Sequence, residues 1–257
     1  MSHSNAYIFG FAAAVCVVCS IFVAGSAVAL KDRQEANKIL DRQKNVLSVA
    51  GHLPEPATAQ AVQQSFADYI RPKVVDLETG AYVEGADVAA FDQRERRDDP
   101  ATSQAAPAGN PAKIMRLPDQ GLVYQVVSGE QVEMLILPVE GKGLWSTLYG
   151  FLALAPDGTT IKGLTFYEHA ETPGLGGEVD NPRWKALWVG RKALDEKGEP
   201  AIEVIKGAAG TVEEDPHRVD GLSGATLTAR GVSHLMQFWL GDDGWGPYLD
   251  RVRGGGA

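Results

Sequence analysis

"DGLSGATLTARGVSHLMQFWL", Asp220 to Leu240, joins two patterns. Its second half places Val232, Leu235, Met236, Trp239 and Leu240 at i, i+3, i+4, i+7 and i+8. That spacing predicts a helix with one apolar face turned to a core. Its first half sets Ser223, Thr226 and Thr228 around Gly224 and Ala225, a hydroxyl cluster on small neighbours just before the helix. Upstream, from Leu122, the runs "LVYQVV", "VEMLILPV", "LYGFLALAP" and "IKGLTFYEH" are short and apolar or alternating. They read as strands, with Pro156-Asp157-Gly158 turning between the last two. Successive strands followed by a core-facing helix predict an α+β domain with a mainly antiparallel sheet and flanking helices.

The remainder fills in around this unit. "RWKALWVGRKAL" is amphipathic and predicted helical, and "AIEVIKG" reads as a strand. "KVVDLETGAYV" reads as two strands around a Glu-Thr-Gly turn, and "ATAQAVQQSFADYI" as a short helix. Residues 92–113 are charged, then rich in Pro, Ala and Ser, as in a surface loop or insert. After a short tail (residues 1–5), "AYIFGFAAAVCVVCSIFVAGSAVAL", residues 6–30, carries no charge. As a helix it would rise roughly 37 Å, enough to span a hydrocarbon core of about 30 Å. A cleaved signal peptide would want a basic start and a shorter core, and "MSHSN" has no Lys or Arg, although "AGSAVA" resembles a cleavage site. Residues 31–53 follow as an amphipathic connecting helix, and residues 54–257 form the domain.

The net charge of −9 over 257 residues argues against nucleic acid as a partner, and no basic stripe with interleaved aromatics occurs. The two cysteines, Cys16 and Cys19, both lie in the apolar run, so the domain has no disulfide and no thiolate metal site. His3, His52, His169, His217 and His234 show no H-x-x-x-H spacing, and no metal site is expected. The Glu168-His169 pair beside a Gly-rich loop is the one to watch.

The hydroxyl cluster admits three readings. Ser223, Thr226 or Thr228 can cap the helix that follows. Gly221-Leu222-Ser223-Gly224-Ala225 approaches the G-x-S-x-G nucleophile elbow, but "EEDPHRV" before it is no buried strand and no His follows His234. The third reading is an acceptor for a covalently attached phosphate. Small neighbours admit another enzyme's active site, and a helix N-terminus favours negative charge. A second stretch, "HAETPGLGGEV" from His169 to Val179, must form a thin irregular loop, because Pro173 fixes one φ and Gly174, Gly176 and Gly177 free others. It is either a structural turn or a loop whose backbone reaches a ligand's polar edge, with Leu175 against a ring and Glu171 and Thr172 making polar contacts. Trp145, before a strand, fits a core as well as a cofactor contact, and Lys206 fits a solvated lysine as well as a counter-charge.

Asp220-x-x-Ser223-Gly224-Ala225-Thr226 resembles the D-x-x-S/T-G-A-S/T signature of FMN-binding domains that carry covalent flavin. The E-T-P-G-L-G run is similar to that family's second motif. "GKGLWSTLYGFLAL", residues 141–154, and "DRQEANKIL", residues 32–40, resemble the NqrC family of the Na⁺-translocating NADH:quinone oxidoreductases, over nearly the whole chain. The resemblance implies FMN held by a phosphoester to Thr226, the last hydroxyl of the motif, placed there by a flavin transferase using FAD and Mg²⁺. It implies Asp220 in the attachment motif. Trp145, Ser146, Glu171, Thr172, Leu175, Gly176, Lys206, Ser223, Gly224 and Ala225 are then the expected flavin-binding residues. The implied function is electron carriage toward quinone within a sodium-pumping complex of six subunits in a bacterial inner membrane, without substrate turnover of its own. The flavin-carrying RnfG protein of the related Rnf complex shares both motifs, and a membrane-anchored module with no redox load is a different class. Lys31, Arg33, Lys38, Arg42 and Lys44 after the apolar run would by themselves hold the domain in the cytoplasm. The family's domains lie on the outer face, so a periplasmic domain is expected, since long domains translocate largely regardless of flanking charge.

Overall fold

The computed structural model describes residues 4–255. The chain divides between Gln43 and Lys44 into two units. From residue 5 the first belongs to one helix, α1 (Asn5–Ala50), which is long and apolar enough by length and composition to cross a membrane. The connecting helix expected over 31–53 is the continuation of that same helix, because neither Gly nor Pro interrupts the chain at Leu30-Lys31. Gly51 ends it with φ 76°. There Gly51 N–H donates to Ser48 O at 3.2 Å and His52 N–H to Leu47 O at 2.9 Å, the paired bonds of a left-handed C-terminal cap.

The second unit is the domain. Its elements run α2 (Ala59–Tyr69), β1 (Ile70–Asp76), α3 (Gln93–Asp98), β2 (Ser103–Ala105), β3 (Arg116–Pro118), β4 (Gln120–Ser128), β5 (Gln131–Lys142), β6 (Thr147–Leu154) and β7 (Ile161–Glu168). There follow a 3₁₀ turn (Gly176–Asp180), α4 (Pro182–Ala186), β8 (Glu203–Val204), β9 (Arg218–Val219), α5 (Thr226–Leu240) and α6 (Gly246–Arg253). The main sheet has the order β1-β4-β5-β6-β7, antiparallel throughout. Side chains alternate between its faces. Leu135, Leu137 and Val139 of β5 join Val232, Leu235, Met236 and Trp239 of α5 in one core. Ile136 is buried as well, on the opposite face, where Phe66 of α2 meets Tyr124 edge-on at 6.2 Å and Tyr124 meets Phe151 at 5.8 Å. A sheet buried on both faces explains why its strands read as near-continuous apolar runs.

Helix α5 lies tight on β5. A Cβ on Gly231 would stand 2.5 Å from Lys142 O, and one on Gly141 2.5 Å from Leu235 Cβ. Trp239 Nε1–H donates to Glu140 O at 2.7 Å, and Trp245 Nε1–H to Pro138 O at 2.9 Å. These contacts place the N-terminus of α5 beside the turn that leaves β5.

Three expectations change. The helix read over 183–194 is only α4, because Gly190 turns at φ 86° and Arg191 folds back onto neighbouring loops. Its buried guanidinium donates to the carbonyls of Leu187, Gly210 and Asp215. The strand read over "AIEVIKG" is two residues long, paired parallel to β9. Residues 92–113 are no plain loop. They hold α3, capped by the Asp92 carboxylate, and β2, which pairs with β3. The charges that suggested solvent reach the sheet instead: Arg97 Nη1 bonds both Glu140 oxygens, at 2.8 and 2.7 Å, and Arg94 lies 3.7 Å over the Tyr149 ring.

Candidate functional site

Four stretches distant in sequence converge at the N-terminus of α5. The first is the turn after β5, closed by Gly143 N–H donating to Ser146 O at 2.8 Å. Three successive N–H groups of that turn, from Leu144, Trp145 and Ser146, donate to the Glu171 carboxylate at 3.3, 2.9 and 3.2 Å. Backbone donors curled in this way form an anion-holding concavity, and here the anion is the chain's own. The Thr228 hydroxyl completes the shell, donating to Glu171 Oε2 at 2.6 Å. Glu171 is 5 % exposed and Thr228 0 %. Burial by itself would raise the Glu171 pKa. The hydrogen bonds from Thr228 and from the Trp145, Ser146 and Leu144 amides outweigh it, and the carboxyl is held below the usual range.

The second stretch is the Gly-rich loop. Leu175 N–H and Gly177 N–H both donate to Thr172 O, at 3.1 and 2.9 Å, and Gly174 turns at φ 73°. Ahead of it, His169 Nδ1 accepts from Glu171 N–H at 3.2 Å while Nε2 meets Asp180 Oδ2 at 2.8 Å, which places the imidazole proton on Nε2. Ala170 N–H donates to Ser146 Oγ at 2.7 Å, tying this loop to the first. The third stretch carries Lys206. Gly221 N–H donates to Gly207 O at 2.8 Å, so the exposed Lys206 lies against the motif. The fourth is the motif itself. Asp220 accepts from Ala209 N–H at 2.9 Å through Oδ1 and from Trp184 Nε1–H at 2.8 Å through its carbonyl.

The capping reading of the hydroxyl cluster is overturned. The N-cap of α5 is Ala225 and no side chain caps the helix. Thr226 is instead the first helical residue, exposed, at an uncapped N-terminus where unpaired N–H groups and the helix dipole favour an anion. Ser223 and Gly224 are exposed in the turn before it, Ala225 is buried, and Leu175 Cδ2 sits 2.9 Å from where a Gly224 Cβ would be. Trp145 is 66 % exposed, so it belongs to the surface and not to the core. Leu144, Leu175 and Leu227 are exposed beside the same loops. The site therefore offers two exposed hydroxyls, Ser223 in the turn and Thr226 on the helix, a field for a phosphate and exposed apolar groups that suit a flat ring.

A profile of the FMN-binding domain matches residues 143–241, the span that holds all four stretches. The NqrC protein of Vibrio vulnificus (strain YJ016), part of its Na(+)-translocating NADH-quinone reductase, is 49 % identical over 248 residues, covering 96 % of this chain and 95 % of that one. The chain belongs to the NqrC family of these reductases. The Pseudomonas aeruginosa NqrC is likewise 49 % identical, over 246 residues, covering 95 % of this chain and 94 % of its own. The crystal structure of Shewanella oneidensis NqrC superposes with a TM-score of 0.77 at 35 % identity, over 86 % of this chain and 99 % of that one.

Within this NqrC fold, the expected site residues come from all four stretches. Among them, Glu171 is buried and its carboxylate accepts four hydrogen bonds from its own chain. The sequence reading missed its partner, Thr228. A signal existed: Thr228 lies four residues before Val232 and so extends the apolar stripe of α5, where a hydroxyl requires a partner. Thr226 lies off that stripe.

Proposed function

We propose that this chain is the electron-carrying subunit of a Na⁺-translocating NADH-quinone reductase, with FMN joined by a phosphoester to Thr226 Oγ1. The observation that carries the reading is the presentation of Thr226, exposed on the first turn of an uncapped helix, while Thr228 is buried and committed to Glu171. In attachment, Thr226 Oγ1 attacks the FMN phosphorus of FAD, the phosphoanhydride bond breaks, AMP leaves and the hydroxyl gives up its proton. A flavin transferase with Mg²⁺ performs this step on the outer face of the inner membrane. Asp220 serves attachment, as a carboxylate suited to Mg²⁺ or to the transferase.

When bound, the flavin supplies the redox chemistry, receiving electrons from within a complex of six subunits and passing them toward quinone. The chain supplies place and field. Ser223, Gly224, Ala225 and the first turn of α5 hold the phosphate, with Lys206 as counter-charge. Trp145, Ser146, Thr172, Leu175 and Gly176 border the ring. A covalent tether prevents dissociation and keeps the cofactor at a high effective concentration beside its site. Helix α1 anchors the domain in the membrane, and the domain faces the periplasm. Peptide mass mapping of the purified chain tests the reading. A mass increase of one FMN phosphoester on Thr226, lost in Thr226→Ala, is expected; an adduct on Ser223 or Thr228 would overturn it.

A further inference from the structure

We infer that Thr228 and Glu171 form a positioning pair for flavin attachment, a role that rests on Thr226 being the attachment residue. Neither touches the reacting atoms. Together they set where the reacting hydroxyl and its neighbours stand.

The argument begins with burial. A carboxylate removed from water needs a full set of donors or a cation. Glu171 has four donors, the Leu144, Trp145 and Ser146 amides and the Thr228 hydroxyl, and among the described residues no Lys, Arg or His pairs with it. If the site served packing alone, an apolar pair of the same shape would do as well, since replacing both partners of a buried polar contact can be nearly neutral. An apolar pair cannot hold three successive amides in one orientation. The surroundings are built to the pair: a Cβ on Gly143 would lie 2.6 Å from Glu171 Oε1, and one on Gly176 would lie 2.5 Å from Thr228 Oγ1 and 2.8 Å from Glu171 Oε2. Glycine on both sides lets the backbone close around it.

Helix geometry links the pair to the attachment residue. Successive helical residues turn by about 100°, so Thr228 and Thr226 point about 200° apart. Anchoring the Thr228 hydroxyl inward fixes the rotation of the first turn of α5 and thereby aims Thr226 outward. The other end of the lock fixes Trp145. Its N–H donates to Glu171 at 2.9 Å and its carbonyl accepts from Lys142 Nζ at 3.0 Å, so an exposed indole stands on a backbone pinned from two sides. One hydrogen bond between residues 57 apart thus ties the acceptor hydroxyl to the exposed tryptophan.

The test uses the full chain with its membrane helix, FAD, Mg²⁺ and the flavin transferase. The variants are Thr228→Val, Thr228→Ser and Glu171→Gln, with loading followed by intact mass. Thr228→Val should lower the transferase's kcat by about tenfold, the scale of a lost hydrogen bond to a charged group, with little change in KM for the chain. Thr228→Ser should restore loading to near the wild-type rate. Amide hydrogen exchange at 144–146 should speed up in Thr228→Val and Glu171→Gln but not in Thr228→Ser. Thr228→Val loading at the wild-type kcat while the unmutated chain loads normally would overturn the pair and leave the functional reading intact. No loading of the unmutated chain at Thr226 would overturn both. If Thr228→Val does not fold, Glu171→Gln decides: slowed loading in a chain with cooperative thermal unfolding supports the pair, and unchanged loading rejects it.

Discussion

Leu175 lies directly over Gly224: its Cδ2 is 2.9 Å from the position a Cβ on that glycine would take, and Gly224 holds φ 72°. The Gly-rich loop and the hydroxyl motif therefore meet at a point where a side chain on the motif would strain the backbone and push Leu175 aside. Gly224→Ala must adopt a left-handed conformation that costs an L-residue roughly 1–2 kcal/mol, and it must displace Leu175 as well. The expected outcome is a fall of a few degrees in Tm by calorimetry together with reduced flavin loading. Unchanged melting and full loading would show that the two loops part easily.

The Glu171 carboxyl, held below the usual range by Thr228 and the 144–146 amides against the opposing effect of burial, makes stability depend on acid. A depressed folded-state pKa means that the unfolded chain binds the proton first. The contribution is full above the unfolded value of about 4.3 and is lost as pH falls from there through the folded value. Urea unfolding between pH 7 and pH 3 should show this decline. Glu171→Gln should be less stable at pH 7 and should have a flatter profile, and a parallel profile would locate the acid sensitivity elsewhere.

Arg97 and Glu140 join α3 to β5, the strand that delivers the Gly143–Ser146 turn, and their side chains are 18 % and 13 % exposed. Removing one partner strands a largely buried charge. Arg97→Ala is expected to cost about 3–5 kcal/mol in urea unfolding, whereas the double change Arg97→Met with Glu140→Leu should recover most of that loss. A double variant as unstable as the single one would mean that the pair contributes net attraction and not only mutual compensation.

Topology is open to a direct measurement. A reporter active only in the periplasm, fused after residue 257, should be active, and a cytoplasm-only reporter at the same point should be silent. The opposite pattern would follow the basic residues from Lys31 to Lys44 and would require flavin attachment inside the cell.

Much of this molecule is legible one segment at a time. An uncharged apolar run, four strand-like runs and the stripe of α5 are local regularities, so the type of each element is legible in its own segment, although pairing and packing with the others stabilise it. The long helix over 183–194 fails as a reading for a local reason: amphipathic periodicity marks a helical face but says little about where the backbone stops turning. Gly190 and the carbonyls that bind Arg191 decide where it stops.

The order of residues is enough to set the motif, the sequence of its hydroxyls and the face of α5 to which each belongs, because a 100° step per residue is a property of the helical backbone. What lies opposite each face depends on the packing of distant segments. Glu171 and Thr228 are 57 residues apart, and the amides they hold lie 25 to 27 residues before Glu171. A buried carboxylate takes its donors from whatever the fold brings within hydrogen-bond reach, and no local pattern records that choice. In the folded chain Glu171 accepts hydrogen bonds from two distant segments, and Thr226 faces solvent from the first turn of the helix.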